Sequence, residues 1–201
     1  MATKKNDRRV KYTKMVLRQS LLELMKTRPL NKITVTDICQ QADINRGTFY
    51  SHYADPYDLL EQIEAELLDE IKASIERSLQ VENISTLLAE IFQTIQRNSD
   101  LCKTLFSEFG DKEFLKRILY IAHDRSVQEW KASAGGAIPQ EQLEWMYTFT
   151  ANGSIGIIQE WVQGGMHQDV SKIAGFIERI SERGMRAFFE VSQEKPASDN
   201  A

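Results

Sequence analysis

The sequence predicts an all-α fold with about nine helices. Apolar residues recur every three or four positions along most of the chain, as one buried face of a helix requires. Helix-capping residues and Gly or Pro breaks separate these segments, and the strict alternation typical of a half-buried strand is missing. A length of 201 residues, with 42% hydrophobic and 27% charged residues, is typical of a globular chain of one or two domains.

The first predicted helices are short and close together in sequence. Helix 1 spans about Val10–Lys26, and Arg28-Pro29 ends it because proline cannot continue a helix. Thr34 or Thr36 caps a short helix 2. Asp43 occupies the turn that follows, where Asp tolerates the left-handed backbone conformation better than most residues.

Helix 3 is predicted over Arg46–Tyr53, with Asn45 as its N-cap. Phe49 and Tyr53, four residues apart, share the face toward the core. The outer face then presents a guanidinium, a glycine and three hydroxyls: Arg46, Gly47, Thr48, Tyr50 and Ser51. Guanidinium and hydroxyl groups bind phosphates and base edges, and glycine permits close backbone approach. The pattern therefore predicts a helix-turn-helix whose second helix enters the major groove of DNA.

A family resemblance points the same way. The segment ITVTDICQQADIN, followed by RGTFYSHYADPYDLL, resembles the signature of the TetR (tetracycline-repressor) family of bacterial transcriptional regulators. The resemblance covers Val10–Leu60. Asp43 stands where the family usually has a turn glycine, and Pro56 stands where it usually has a basic residue. The second departure implies that one phosphate contact is missing.

The residues expected to bind DNA lie at the start of helix 2, at the cap of helix 3 and along helix 3: Thr34, Thr36, Asn45, Arg46, Gly47, Thr48, Tyr50, Ser51 and His52. For His52, core packing is an equal alternative. The alternative for the whole segment is an amphipathic helical hairpin inside an ordinary bundle. Charge favours DNA binding, because Met1–Asp55 holds eleven Lys and Arg against five Asp and Glu, whereas Pro56–Ala201 holds fourteen against twenty-four.

The N-terminal segment Met1–Arg9 is basic. It is expected either to follow the DNA backbone or minor groove, or to be a solubilising disordered tail. No secretory signal precedes it, and no apolar run approaches the roughly 20 residues that span a bilayer, so a cytoplasmic location without membrane contact is expected. Cys39 and Cys102 are too few for a disulfide framework and lack metal-ligand spacing, so no metal or cofactor is expected.

The predicted domains are residues 1–55, the helix-turn-helix domain, and residues 56–201, a helical domain. Helix 4 begins abruptly at Asp55-Pro56, a cap followed by proline at the first helical position, and continues to about Gln80. The remaining helices are predicted over Ser85–Asn98, around Leu101–Phe106, over Asp111–Ser133, Pro139–Gln163 and Ser171–Gln193. The resemblance implies that this second domain binds an effector and forms a homodimer.

Small residues occur inside the first of the last two helices, where glycine costs roughly 1 kcal/mol, and this cost is explained if another helix approaches closely. Large apolar residues of the last helix accompany them. The resemblance implies that these two helices form the dimer interface. The residues assigned to this interface are Tyr147, Gly153, Gly156, Ile157, Trp161, Phe176, Ile180 and Phe188. The alternative is that both helices only pack inside one subunit. A dimer would place two reading helices roughly 34 Å apart on a pseudo-palindromic operator.

The resemblance also implies a pocket for a small-molecule effector, with Phe92, Cys102, Phe106, Phe109, Tyr120, His123 and Trp130 as candidate lining residues. For each of these residues, ordinary core packing is the alternative. The implied function is a repressor that the effector releases from DNA by tilting helix 4 and changing the separation of the two reading helices.

There are two alternatives to this function. The first is an effector-independent or protein-partner-controlled regulator, including an activator, because the C-terminal half resembles regulators of the dihydroxyacetone-kinase-regulator type. This resemblance rests mainly on the segment SIGIIQEWVQGG. The second is an enzyme, which is not expected because the sequence contains no nucleophile elbow, phosphate loop or pair of catalytic carboxylates.

Overall fold

The structure, a computed structural model, describes residues 2–78, 84–121 and 123–193. These ranges contain ten α-helices, one 3-10 turn at Leu30–Lys32 and no strand, so the predicted all-α fold is confirmed. The helices are α1 (Ala2–Met25), α2 (Val35–Ala42), α3 (Arg46–Tyr50), α4 (Pro56–Ser78), α5 (Ile84–Arg97), α6 (Ser99–Leu105), α7 (Lys112–Ile121), α8 (His123–Ser133), α9 (Gln140–Gln163) and α10 (Val170–Gln193).

The helix boundaries differ from the prediction at three places. α1 begins at Ala2 rather than Val10, so the basic N-terminal segment is helical and not a disordered tail. α3 ends at Tyr50 rather than Tyr53. The single helix predicted over Asp111–Ser133 corresponds to α7 and α8, and Ala122 between them lies outside the described residues.

The chain divides into two compact units. The first comprises Met1–Glu70 and Asn98–Phe114, and the second comprises Ile71–Arg97 and Leu115–Ala201. The division falls inside α4, which is one continuous helix. The functional boundary at Asp55 expected from the motif stays a prediction.

The first unit is built on α1, which contacts α2 and α6. Leu17, Leu21 and Met25 are spaced four residues apart, so they fall on one face of α1, and all three are buried. α4 contributes a second buried row, consisting of Leu59, Ile63 and Leu67. Each such side chain stabilises the fold by about 1.5–3 kcal/mol when it leaves water.

A glycine fixes the segment that follows α6. The amide of Gly110 donates to the carbonyl oxygen of Ser107 at 3.1 Å, which folds the chain back over the end of α6. A Cβ atom at Gly110 would lie 1.9 Å from the carbonyl oxygen of Leu105. Because that oxygen belongs to the backbone, only glycine fits here.

The second unit has two packed regions. α5 contacts α10, and the fully buried ring of Phe92 lies edge-to-face on Trp161 of α9 with the ring centroids 4.9 Å apart. The buried indole N–H of Trp161 donates to the carbonyl oxygen of Gln168 at 3.2 Å. Elsewhere α8 contacts α9, around a buried cluster of Val127, Ala134, Ile138 and Leu143.

In the described ranges, none of the helices combines the length and the apolar character needed to cross a bilayer.

Replacing Gly110 by alanine is expected to lower the free energy of unfolding by about 1–3 kcal/mol, because the new Cβ forces the backbone at Leu105 to move. Urea denaturation monitored by circular dichroism measures the change. Gly175→Ala in α10 is the control, since its Cβ would lie at an ordinary 3.5 Å from the flexible Arg179 side chain. Equal stability of Gly110→Ala and the unmodified chain would contradict the packing argument.

Candidate functional site

The start of α2 is fixed by a capping box. The hydroxyl of Thr34 accepts a hydrogen bond from the amide of Asp37 at 3.2 Å, and the Asp37 carboxylate accepts one from the amide of Thr34 at 2.8 Å. The hydrogen bond from the Thr34 backbone, more than the Arg28 guanidinium 3.3 Å away, holds the pKa of Asp37 below its usual value. Thr36, the other predicted cap, is exposed within α2.

The turn between α2 and α3 depends on Asp43. Its backbone is left-handed, with φ 52° and ψ 46°, which is the conformation predicted for this position. The amide of Ile44 donates to the carbonyl oxygen of Cys39 at 3.0 Å and closes the end of α2. The Asn45 side chain then accepts a hydrogen bond from the amide of Gly47 at 2.7 Å and caps α3 as predicted.

α3 has one buried residue and an otherwise exposed surface. Phe49 is fully buried, and its ring lies 5.7 Å from those of Tyr50 and Tyr53. The amides of His52 and Tyr53 both donate to the carbonyl oxygen of Phe49. The Ser51 hydroxyl donates to the carbonyl oxygen of Thr48 at 2.7 Å. This tight turn ends the helix early, yet Tyr53 stays buried on the predicted inward side.

Of the residues expected to bind DNA, the structure leaves exposed Thr34, Thr36, Asn45, Arg46, Gly47, Thr48, Tyr50 and Ser51. His52 is half-buried. The phenol of Tyr50 is 53% exposed although its neighbour Phe49 is fully buried, so α3 separates a core face from a solvent face within five residues. Their role in DNA binding stays a prediction.

The start of α4 is fixed by a second set of caps. The Asp55 carboxylate accepts from the amides of Tyr57 at 2.8 Å and Asp58 at 2.9 Å. Asp58 in turn accepts from the amide of Ala54 at 2.7 Å, and this hydrogen bond lowers the pKa of Asp58. Pro56, which replaces the basic residue usual in the resembled family, is buried and offers nothing to a phosphate.

The seven candidates for an effector pocket do not form one group within either unit. Cys102 and Phe106 are buried in the first unit, together with the half-buried Phe109. Burial raises the pKa of the Cys102 thiol to about 12, so it is an unreactive core residue. The other four belong to the second unit: Phe92, Tyr120, His123 and Trp130. Phe92 is core there, and Tyr120 is 70% exposed.

His123 lies at the centre of a polar cluster that joins α8 to α9. Its Nδ1 lies 2.8 Å from Asp124 and its Nε2 lies 2.6 Å from Glu144. Its ring also lies edge-on to Tyr147, with the centroids 4.8 Å apart. Because both ring nitrogens face carboxylates, the hydrogen bonds to Asp124 and then Glu144 raise the pKa of His123. Asp124 could be guessed from its position next in sequence, whereas Glu144 is brought in only by helix packing.

This cluster is not a metal site. In the part of the chain that the structure describes, no group of three or more His, Cys, Asp or Glu side chains is placed to hold a metal ion.

The predicted dimer interface is partly exposed. Gly153 and Gly156 are exposed in the middle of α9, and a Cβ at either would meet no atom within 4 Å. Phe176 and Ile180 of α10 are 47% and 52% exposed. Tyr147 is half-buried against His123 and Trp130, so it serves the α8–α9 contact. Ile157 is half-buried, and the side chain of Phe188 lies outside the described residues.

Trp161 does not belong to the exposed face. It is 3% exposed and packs on Phe92, so its ring completes the core of this chain and offers no surface to a partner. The apolar pattern of the sequence could not distinguish a core position from an interface position for Trp161.

An apolar groove of about 310 Å³ runs between α9 and α10. Its walls are Met146, Phe149, Thr150, Gly153, Ser154, Ile157, Ile177, Ile180, Ser181 and Gly184. Phe149 is 79% exposed and is not among the residues assigned to the interface, although it lies four residues before Gly153 and so on the same helix face.

These features describe an all-helical protein with a capped, exposed short helix near its N-terminus and a groove between its last two helices. The family model of the TetR transcriptional regulator C-terminal region matches residues 82–183, half of the chain. The chain belongs to the TetR family of transcriptional regulators, and the predicted membership is confirmed.

Solved structures agree with this membership in fold. A TetR transcriptional regulator from Streptococcus agalactiae 2603V is 22% identical, with a TM-score of 0.61, covering 89% of this chain and 98% of that chain. The dihydroxyacetone kinase operon activator DhaS is 18% identical, with a TM-score of 0.57, and the match covers 87% of this chain and 97% of that chain.

A third similar structure is FadR from Thermus thermophilus, a TetR-family repressor in complex with lauroyl-CoA. It is 18% identical, with a TM-score of 0.52, and the match covers 94% of this chain and 98% of that chain. These proteins are regulators and not enzymes. Among curated proteins no match was found.

The His123 cluster predicts a pH-dependent stability. Because the folded pKa is raised, the charged ring stabilises the fold fully below the unfolded pKa of about 6.5, and this contribution is lost as pH rises through the folded pKa. In thermal melts between about pH 6 and 9, the unmodified chain should therefore lose more stability with rising pH than His123→Gln. The exposed His167→Gln serves as control and should keep the original pH dependence. Identical pH profiles for His123→Gln and the unmodified chain would refute the role of the cluster.

Proposed function

We propose that this TetR-family regulator is a homodimeric, sequence-specific DNA-binding protein that acts as a repressor and is released by a small-molecule effector. The observation that carries the proposal is α3, which exposes Arg46, Thr48 and Tyr50 while its own Phe49 is fully buried. A helix held in this way presents fixed side chains outward, as readout of a DNA groove requires.

The chemistry of α3 suits contacts to both bases and phosphates. The Arg46 guanidinium can bind guanine in a bidentate manner or clamp a phosphate. The hydroxyls of Thr48, Tyr50 and Ser51 can donate to phosphate oxygens or base edges. Gly47 lets the backbone at the start of α3 approach the DNA closely. The N-cap also favours glycine at this position, because a Cβ would lie 3.2 Å from the Asn45 side-chain oxygen. The buried Pro56 removes one phosphate contact from this set.

The exposed face formed by α9 and α10 supports dimerisation. This face has an apolar surface that a second copy can cover. It consists of the exposed Phe149, Phe176 and Ile180, next to the unoccupied space at Gly153. A dimer also supplies the second α3, and two copies spaced by one helical turn of DNA read the two halves of a pseudo-palindromic operator.

Effector control would act through α4. This helix begins at the cap that directly follows the motif and continues unbroken from the first compact unit into the second. An effector that binds one orientation of α4 better shifts the population and changes the separation of the two α3 helices. Inverting a tenfold preference needs about 2.7 kcal/mol of differential affinity. Fatty acyl-CoA is a first ligand class to screen, because the similar Thermus thermophilus FadR holds lauroyl-CoA.

A second candidate function is control without a small ligand, including activation, through a protein partner. The likeness in fold to the dihydroxyacetone kinase operon activator DhaS favours it.

The test is fluorescence anisotropy with the duplex directly upstream of the protein's own gene, against a scrambled duplex of the same composition. Preference for the native duplex that persists at higher salt supports sequence-specific binding. Failure to bind either duplex at low salt would refute the proposal. Adding lauroyl-CoA to the complex tests the first ligand class, since release supports effector control and an unchanged anisotropy excludes this compound as the effector.

Replacing Tyr50 by phenylalanine is expected to weaken binding of the native duplex by about 1 kcal/mol, roughly fivefold, because one hydroxyl contact is lost. The melting temperature should not change, since this phenol is exposed. Tyr120→Phe is the matched control, because Tyr120 is also exposed but belongs to the second unit. Equal binding by Tyr50→Phe and the unmodified protein removes Tyr50 from the contact set.

Replacing Gly153 by leucine is expected to raise the dimer dissociation constant at least about tenfold, equivalent to 1.4 kcal/mol, by filling the space that a second copy needs. Stability of the single chain should not fall, since leucine favours a helix more than glycine does. Analytical ultracentrifugation measures the dissociation constant, with Gln128→Leu on the exposed side of α8 as control. A dimer of unchanged strength would place the interface elsewhere.

A further inference from the structure

The N-terminal half of α1 carries a concentration of positive charge that the helix-turn-helix does not use. Residues 1–14 contain six Lys and Arg and one Asp. The helix already begins at Ala2, and its first turn contains no acidic residue. Arg8, Arg9, Lys11 and Lys14 are all exposed.

Three of these residues form a row on one side of α1. Arg8, Lys11 and Lys14 are spaced three residues apart, so each is a neighbour of the next on the helix surface, about 4.5 Å further along the axis. The row begins beside the motif, because the Lys14 ammonium lies 6.0 Å from the centre of the Tyr53 ring. Tyr53 follows α3 by three residues, so Lys14 lies close to the chain segment that leaves α3.

The positive charge in this row is available to a partner. Arg18, the next basic residue along the same side of α1, is neutralised by an ion pair with Glu66 of α4. Among the described side chains, no carboxylate forms an ion pair with Arg8, Arg9 or Lys11. Exposed cations attract a polyanion and gain by releasing its bound counterions.

We propose that Arg8, Lys11 and Lys14 bind the phosphate backbone of DNA next to the groove that α3 enters, independently of base sequence. This inference rests on the proposed DNA-binding function and adds a second contact surface to it. The α1 row would also offset the phosphate contact that Pro56 cannot make. Because phosphates occur in every sequence, the row raises affinity for native and scrambled duplexes alike and leaves selection of the operator to α3.

The test is the triple variant Arg8→Gln, Lys11→Gln and Lys14→Gln in the full-length protein. Anisotropy is measured between about 50 and 200 mM salt on two duplexes of about 30 bp, the native upstream sequence and its scrambled counterpart. Each lost phosphate contact lowers the slope of log K against log salt by about 0.9, so the triple variant should show a slope smaller by about 2.7 on both duplexes. The ratio of the two affinities should stay the same.

Two controls isolate the position of the charge. The variant Lys103→Gln, Lys131→Gln and Lys172→Gln removes the same number of exposed cations elsewhere and should keep the original slope. Arg8→Lys keeps the charge in place and should also keep it. Circular dichroism must show unchanged helix content for all variants.

The outcomes separate this inference from the proposed function. A triple variant with an unchanged slope overturns the inference, while preference of the unmodified protein for the native duplex still supports DNA binding. A loss confined to the native duplex also overturns it, because the contact would then read bases. An unmodified protein that binds no duplex at low salt refutes the proposed function and this inference with it.

Discussion

The burial of Phe49 determines the geometry of the candidate site. α3 has only five residues, and a helix this short is unstable in water by itself because nucleation is costly. Its conformation is therefore imposed by the fully buried Phe49 ring, which lies against Tyr53, and by the Asn45 cap. The outward directions of Arg46, Thr48 and Tyr50 follow from that burial, since they occupy the remaining directions around the same short helix.

The boundaries of the motif are set by polar side chains that complete the backbone hydrogen bonding of helix ends. Thr34 and Asp37 cap α2, Asn45 caps α3, and Asp55 with Asp58 caps α4. These groups are exposed or half-buried, so each contributes modestly to stability. Their effect on geometry is larger, because every cap fixes the residue at which a helix begins and thereby the face that each later side chain occupies.

Local chemistry explains why the motif could be predicted from the sequence and the packing of the second unit could not. The caps and the left-handed Asp43 depend on residues within four positions, so the sequence predicted them correctly. The early end of α3 was missed because the hydrogen bonds at Ser51 and His52 compete with helix continuation. Within the single chain, Trp161 contacts Phe92 and Tyr147 contacts His123, residues distant in sequence that only the packing of helices brings near. Residues such as Phe92 and Cys102 fit a core or a pocket equally well in an apolar pattern.

The glycines of α9 link the stability of the chain to its assembly. Gly153 and Gly156 each weaken a helix by roughly 1 kcal/mol relative to alanine, and the space beside them is unoccupied in the single chain. Neither glycine is required there by backbone conformation, because both lie within a regular helix. Close approach by another helix is the remaining physical use for a position without a side chain. Exposed Phe149 and Ile180 border the same groove and would leave water on that approach. In the proposed dimer, packing at this face would recover the helix energy lost in the single chain. Folding of α9 and pairing of the two proposed DNA-reading heads would then be coupled through the same few residues.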